Sequence, residues 1–425
     1  MLSTPISEIG TSETQLTLMT KRRGFQILGL WLVSCIVAVI ISFSPKATNV
    51  ETGHSIPTST ALKELNIRLQ FSGYDSMCST LFIGFIPSFA QSTHKRTITL
   101  RLKGDIMLLD ENTAKKDTKP IDSTYNYDVK AGIINDFDLQ KIIQFPNIDF
   151  KYVLLSIDVI TSHADLNDIL VKAISIRKEL TITGVVFISI LTIMVSLLLI
   201  LIISKRVRPK YLDHWLVIIL AGVLLLVDGP WLLCQYYSIA SFSQVFDMMP
   251  QIFHAFFVIY AFAFFSVRTI KAVKKIYKNK IIYCCIICFS IILLILQFTI
   301  TKRKPLPTLA FYKKDNKSIL AILIILFLLY HGGIIFGFIY GFIKLQFEKL
   351  IPILIIGVIF CSAEAIEIIE FLIRISVGYD HFGLSMAADI LYILMANIIT
   401  LVLLYVDTPV SQQSDHANCK NDIRI

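Results

Sequence analysis

The sequence predicts an α-helical membrane protein in three parts: an N-terminal anchor helix, a lumenal β-sandwich-like domain and a C-terminal seven-helix transmembrane bundle, eight transmembrane helices in all. Three observations predict it. Hydrophobic residues make up 55% of the 425 and charged residues 17%, with a mean hydropathy of +0.69, well outside the usual range for soluble domains. The apolar residues lie in long blocks rather than in alternation. A single polar stretch of about 135 residues, long enough for one independent domain, separates the first block from the rest.

A helix rising about 1.5 Å per residue needs about 20 apolar residues to cross a hydrocarbon core of about 30 Å. Eight segments follow that ruler: Phe25 to Phe43, Leu180 to Ile203, Trp215 to Tyr237, Ile252 to Val267, Ile281 to Ile300, Ile319 to Ile343, Leu350 to Ile373 and Met386 to Val406. The fourth is the shortest. The expected parts are a cytosolic tail (1–23), the anchor (24–44), the lumenal domain (45–179), the bundle (180–406) and a second cytosolic tail (407–425).

Sidedness follows from charge. Lys21, Arg22 and Arg23 hold the N-terminus in the cytosol, and the loops with Lys205 to Lys210 and Arg268 to Lys280 fall on the same side, as the positive-inside rule requires. The basic loop from Lys302 to Lys317 is the one violation. The net charge of +9 is therefore a loop effect; the basic residues flank helix ends without aromatic stacking partners, so no nucleic acid is expected as a partner. Ser42 to Pro45 make a poor small-x-small cleavage site, so the first segment reads as an uncleaved anchor rather than a signal peptide.

Within the polar stretch, Leu65 to Phe71 and Thr97 to Leu102 alternate apolar and polar side chains, and Phe150 to Ile160 is a third strand. Asp110 to Tyr127 reads as a long loop or hairpin tip, and Asp165 to Arg177 as a short helical lead into the second span. Of eight cysteines only Cys78 lies here, so no internal disulfide is expected. The sequence has no HExxH, no pair of His at four-residue spacing, no GxSxG and no Walker loop. It reads as a non-enzyme with no metal site and no cofactor.

The informative residues are polar groups inside apolar segments. Asp228 sits in LLLVDGPWLLCQYY, where Gly229 and Pro230 are expected to break the third span, or else Asp228 marks its lumenal end. Glu364, Glu367 and Glu370 interrupt the seventh span; Glu370 precedes Arg374 by four residues and reads as a Glu-to-Arg pair near the lumenal interface. Counting rise per residue puts Glu364 and Asp228 at one level, with Glu367, Asp389 and His254 nearer the lumen and His331 near mid-membrane. Charged groups at such depth normally face a cavity or each other, so Asp228, Glu364, Glu367, Asp389 and His254 predict a lumen-facing vestibule for cargo or protons, with His254 as a pH sensor. Gly333, Gly337 and Gly341, at four-residue spacing, predict a packing groove on the sixth span.

The whole arrangement resembles the Wntless-like branch of the GOST family, which joins a Golgi-dynamics-type domain to a seven-helix bundle. LLVDGPWLL (225–233) looks like the acidic-or-amide, Pro, aromatic element of that family, and VFDMMPQIFHAFFVIYAFAFFSVR like the span that follows. The resemblance implies a trafficking receptor or chaperone in Golgi, endosomal or other secretory-pathway membranes, whose secreted or membrane cargo includes lipid-modified proteins. Two other classes stay open. A G-protein-coupled receptor would carry an Asp/Glu-Arg-Tyr triplet, where FFSVRTIKAV stands, and an NPxxY, which is missing. An ion channel or proton-coupled carrier would use the buried acids.

Overall fold

The computed structural model describes residues 21–44, 47–55, 64–74, 81–89, 94–130, 137, 139–145, 148–162, 166–204, 212–237, 249–268, 275–301, 317–344, 350–376 and 383–406. Eight long helices are present among them: α1 (Lys21–Phe43), α2 (Lys178–Ser204), α3 (Leu212–Tyr237), α4 (Met249–Arg268), α5 (Lys280–Thr301), α6 (Lys317–Ile343), α7 (Leu350–Ser376) and α8 (Gly383–Val406). Six of them are long and apolar enough to cross a membrane. The other two are α4, with a shorter apolar run from Pro250 to Ser266, and α7, which carries the three glutamates. Most of both tails, and most of the basic loops used above for sidedness, lie outside the described residues.

The surface of the bundle is what a bilayer demands. On α2, Ile182, Val186, Ile190, Ile193, Leu197 and Ile200 recur at helical spacing and are all exposed, an apolar stripe that water would penalise and lipid accepts. The centre is α8, buried from Gly383 to Val406 on nearly every side. Helix α1 is no separate tether: Trp31 and Ala38 are buried in the bundle core, and the helix lies against α7 and α8.

Between α1 and α2 the described residues form eight antiparallel strands: β1 (Thr48–Ser55), β2 (Glu64–Ser72), β3 (Leu81–Phe89), β4 (Arg96–Leu109), β5 (Lys115–Val129), β6 (Gln140–Phe145), β7 (Tyr152–Thr161) and β8 (Leu166–Ile176). They make two four-stranded sheets, ordered β1-β8-β3-β6 and β2-β7-β4-β5. The sheets share one core, with Leu81, Ile83 and Phe85 of the first against Leu100, Leu102, Leu155 and Tyr127 of the second. Two sequence expectations are corrected here. Asp110 to Tyr127 is mostly strand: a tight turn at Asp110–Ala114 leads into β5, an edge strand paired with β4 whose outer face is solvated and therefore polar. Asp165 to Arg177 is not a helix; β8 pairs with both β1 and β3, and its apolar run reflects burial on both faces.

Strand β3 explains how the sandwich meets the bundle. Leu81, Ile83 and Phe85 face the sandwich core, whereas Phe82 joins Ile174, Ile176 and Ala47 in the same apolar cluster as the helices. Strands β1 and β8 run directly out of α1 and into α2. Thr48 accepts from the Gly383 amide at 3.2 Å, pinning the start of α8. Gly383 has to be glycine there, because a Cβ would lie 2.4 Å from the Ala47 carbonyl oxygen.

Exposed pairs decorate the second sheet. Arg101 holds Asp122 in a two-point hydrogen bond at 2.9 and 2.7 Å, and that bond keeps the Asp122 carboxyl below its ordinary range. Lys119 does the same for Asp117. For depressed carboxylates the contribution is present above their unfolded range and lost as pH falls through the lower folded value. Glu51 shifts upward through burial, so its term improves as pH falls into the carboxylate range. The sandwich of the full-length chain is therefore expected to keep its protease resistance from neutral to about pH 5 and to loosen only below about pH 4; loosening already between pH 7 and 5 would contradict this.

Candidate functional site

Glu364 is the pivot of the bundle interior. It is the fifteenth residue of α7, and His331 is the fifteenth of α6, so two antiparallel neighbours of 27 residues each bring their midpoints together. Glu364 Oε2 is hydrogen-bonded to His331 Nδ1 at 2.7 Å, and its Oε1 to His254 Nε2 of α4, also at 2.7 Å. All three side chains are shut off from solvent, with exposures of 0%, 0% and 3%. One carboxylate thus ties three helices.

Aromatic rings wall the group. Phe327 lies 4.0 Å from the His331 ring and stacks on Phe371, while the two imidazoles are 4.8 Å apart. Tyr330 sits edge-on to both imidazoles and is hydrogen-bonded to Ser290 of α5 at 2.9 Å. Such walls exclude water, and every polar contact inside them strengthens as the local dielectric falls. His254 Nδ1, His331 Nε2 and Glu367 Oε2 are buried without a hydrogen-bond partner among the described residues. His254, Phe253, Phe257, Ala363 and Tyr392 line a cavity of about 10 Å³, room for one water.

The remaining predicted residues distribute themselves along the helices. Glu367, one turn beyond Glu364, is buried beside Tyr392 of α8. Glu370 is paired with Arg374 at 3.2 Å, and Asp389 lies against both, forming a charged cluster at the end nearest the sandwich. Asp228 belongs to a different group: it is fully buried, accepts from Thr192 of α2 at 2.9 Å and lies beside Asn397 of α8. Asp228 and Glu364 therefore occupy separate hydrogen-bonded groups, and neither lines the described cavity.

Helix α3 also corrects an expectation. It continues unbroken through Gly229 and Pro230. Proline in a helix interior costs one backbone hydrogen bond, which packed neighbours tolerate at membrane depth. Of the three predicted packing glycines, Gly337 admits Phe262 of α4 and Gly341 admits Phe265 and Tyr277, whereas Gly333 is open.

The metal expectation rested on spacing along the chain. Folding brings together two imidazoles and a carboxylate whose ligand atoms all lie within 4.8 Å of one another, from residues 77 and 33 positions apart in sequence. No local motif encodes that. His331, Thr192, Asn397, Tyr330 and Tyr392 were not singled out as site residues, and the one signal available was the equal position of His331 and Glu364 within their two spans.

No family model matches this sequence, and no curated protein matches it. Among solved structures, it is similar to the VP2 subviral particle of infectious bursal disease virus, at 16% identity over 31% of this chain and 33% of that one, with a TM-score of 0.19. The Gx strain of the same virus gives 16% identity over 30% and 32%, with a TM-score of 0.19. This chain spans about a third of the length of those proteins. Likeness at that level carries no argument about function.

Proposed function

We propose that the chain is a multi-pass sorting receptor or chaperone of the secretory pathway, Wntless-like in architecture, for secreted or membrane cargo. In this reading all eight helices span the bilayer, both termini are cytosolic and the sandwich is lumenal. The observation that carries it is the junction of sandwich and bundle. Strand β3 contributes to both cores, and Thr48 holds the first turn of α8, the helix at the centre of the bundle. Cargo engaged by the sandwich would therefore bear directly on the helices, as a receptor needs and a flexibly tethered domain does not allow.

The rival readings have less behind them. A channel or carrier needs an aqueous path, whereas the cavity at His254 is about 10 Å³ and is walled by Phe253 and Phe257. The signalling-receptor triplet is missing from the sequence.

Sidedness has a direct test. Asn112 sits in the exposed β4–β5 turn, and Ala114→Thr completes an Asn-x-Thr glycosylation acceptor there. The variant is expected to gain a glycosidase-sensitive upward gel shift when made in a eukaryotic cell. Absence of glycan, with a cytosol-restricted protease removing the sandwich, would overturn the lumenal assignment. Imaging of a fluorescent fusion tests the compartment: Golgi or endosomal residence is expected, and a steady plasma-membrane pool alone contradicts it.

A further inference from the structure

We propose that His254, His331 and Glu364 are the ligands of a divalent first-row transition-metal ion, with zinc as the expected occupant, held between α4, α6 and α7. The donor set is two imidazole nitrogens and one carboxylate, which suits zinc and its neighbours and does not suit calcium or magnesium, whose sites are built from oxygen. The geometry is close to what such an ion needs. At metal–ligand distances of about 2.0–2.2 Å, tetrahedral ligand atoms lie roughly 3.3–3.6 Å apart. Each imidazole nitrogen lies 2.7 Å from its own oxygen of Glu364, Oε1 for His254 and Oε2 for His331, and one ligand atom from each residue lies within 4.8 Å of the others, so adjustments on the order of 1 Å suffice.

Charge favours the same conclusion. Glu364 and Glu367 place two carboxylates one turn apart, at 0% and 4% exposure, in an interior that penalises net charge. A divalent cation at the His–Glu–His group balances both, and neutral imidazoles are the form that binds it. Three protein ligands leave a fourth position open. The ion would also replace hydrogen bonds with stronger bonds among three helices that are far apart in the chain. This proposal is independent of the cargo reading.

The test uses the purified full-length protein. Elemental analysis of the wild type is expected to find about one zinc per chain, and a chelator-stripped sample titrated with Co²⁺ is expected to show the visible absorption of a four-coordinate site. Because Cys284, Cys285 and Cys288 are exposed thiols, a ligand type that such ions also take, the triple Cys→Ser variant is measured alongside and is expected to keep the full equivalent. His331→Gln and His254→Gln are expected to weaken zinc binding by more than about 10-fold. Should these variants not fold, the wild-type measurements still decide. Metal well below one equivalent in the wild type, with a thermal midpoint that added Zn²⁺ does not move, would overturn the proposal, as would loss of the equivalent in the Cys→Ser variant.

Discussion

Glu364→Ala is expected to be the most damaging single change in the bundle, lowering stability by about 3–5 kcal/mol, the usual cost of breaking a buried pair by removing one member. The reason is geometric: both imidazoles use the same carboxylate, so one truncation leaves His254 Nε2 and His331 Nδ1 buried without their hydrogen-bond partner. Glu364→Gln keeps the shape and one acceptor and is expected to cost less. Glu370→Ala, at a pair that is 12–13% exposed, is the natural comparison and is expected to cost less again. Thermal unfolding of the detergent-solubilised full chain reads all three. Equal midpoints for Glu364→Ala and Glu370→Ala would contradict the tie between helices.

Gly104→Val is expected to be the corresponding lesion in the sandwich. Gly104 lies mid-way along β4, paired with Ile157 on one side and Ile121 on the other. A Cβ would fall 2.1 Å from the Ser156 carbonyl oxygen and 2.8 Å from Ile157 Cα, and these backbone atoms cannot swing aside without breaking the ladder. Overpacking of this kind costs about 1–3 kcal/mol or more. Faster proteolysis of the sandwich and lower yield of glycosylated Ala114→Thr protein are the expected readouts. Gly222→Ala, where the added Cβ has nothing within 4 Å, is expected to leave both unchanged. Normal protease resistance in Gly104→Val would mean the β4–β7 approach is looser than described.

Much of the fold was legible because hydropathy over about 20 residues is a strong signal. The eight expected segments match α1 to α8 to within a few residues at each end. Alternation found β2 and β4, whose two faces meet different surroundings, and the run Phe150 to Ile160 pointed to β7. It failed on β8, apolar on both sides because the sandwich lies over one face and the bundle under the other, and on β5, polar because it is an edge strand. Pro230 misled for a related reason: its local rule is sound, but packing around α3 absorbs the lost bond.

The candidate site was half legible. Glu364 stood out as the costly residue at depth and His254 as a group nearer the lumen, yet depth alone grouped Glu364 with Asp228, which Thr192 holds elsewhere. Rise per residue gives height and not azimuth, so it cannot say which neighbours share a face. His331 needed one further step, the recognition that midpoints of adjacent antiparallel spans must meet.

The receptor account is tested most directly by comparing the secreted and surface proteins of cells lacking this chain with those of the same cells re-expressing it. The account predicts that a discrete set of cargo accumulates inside the cells without it and is released on re-expression of the wild type, but not of Gly104→Val. An unchanged set of secreted and surface proteins, with the chain resident in Golgi or endosomes, would contradict it.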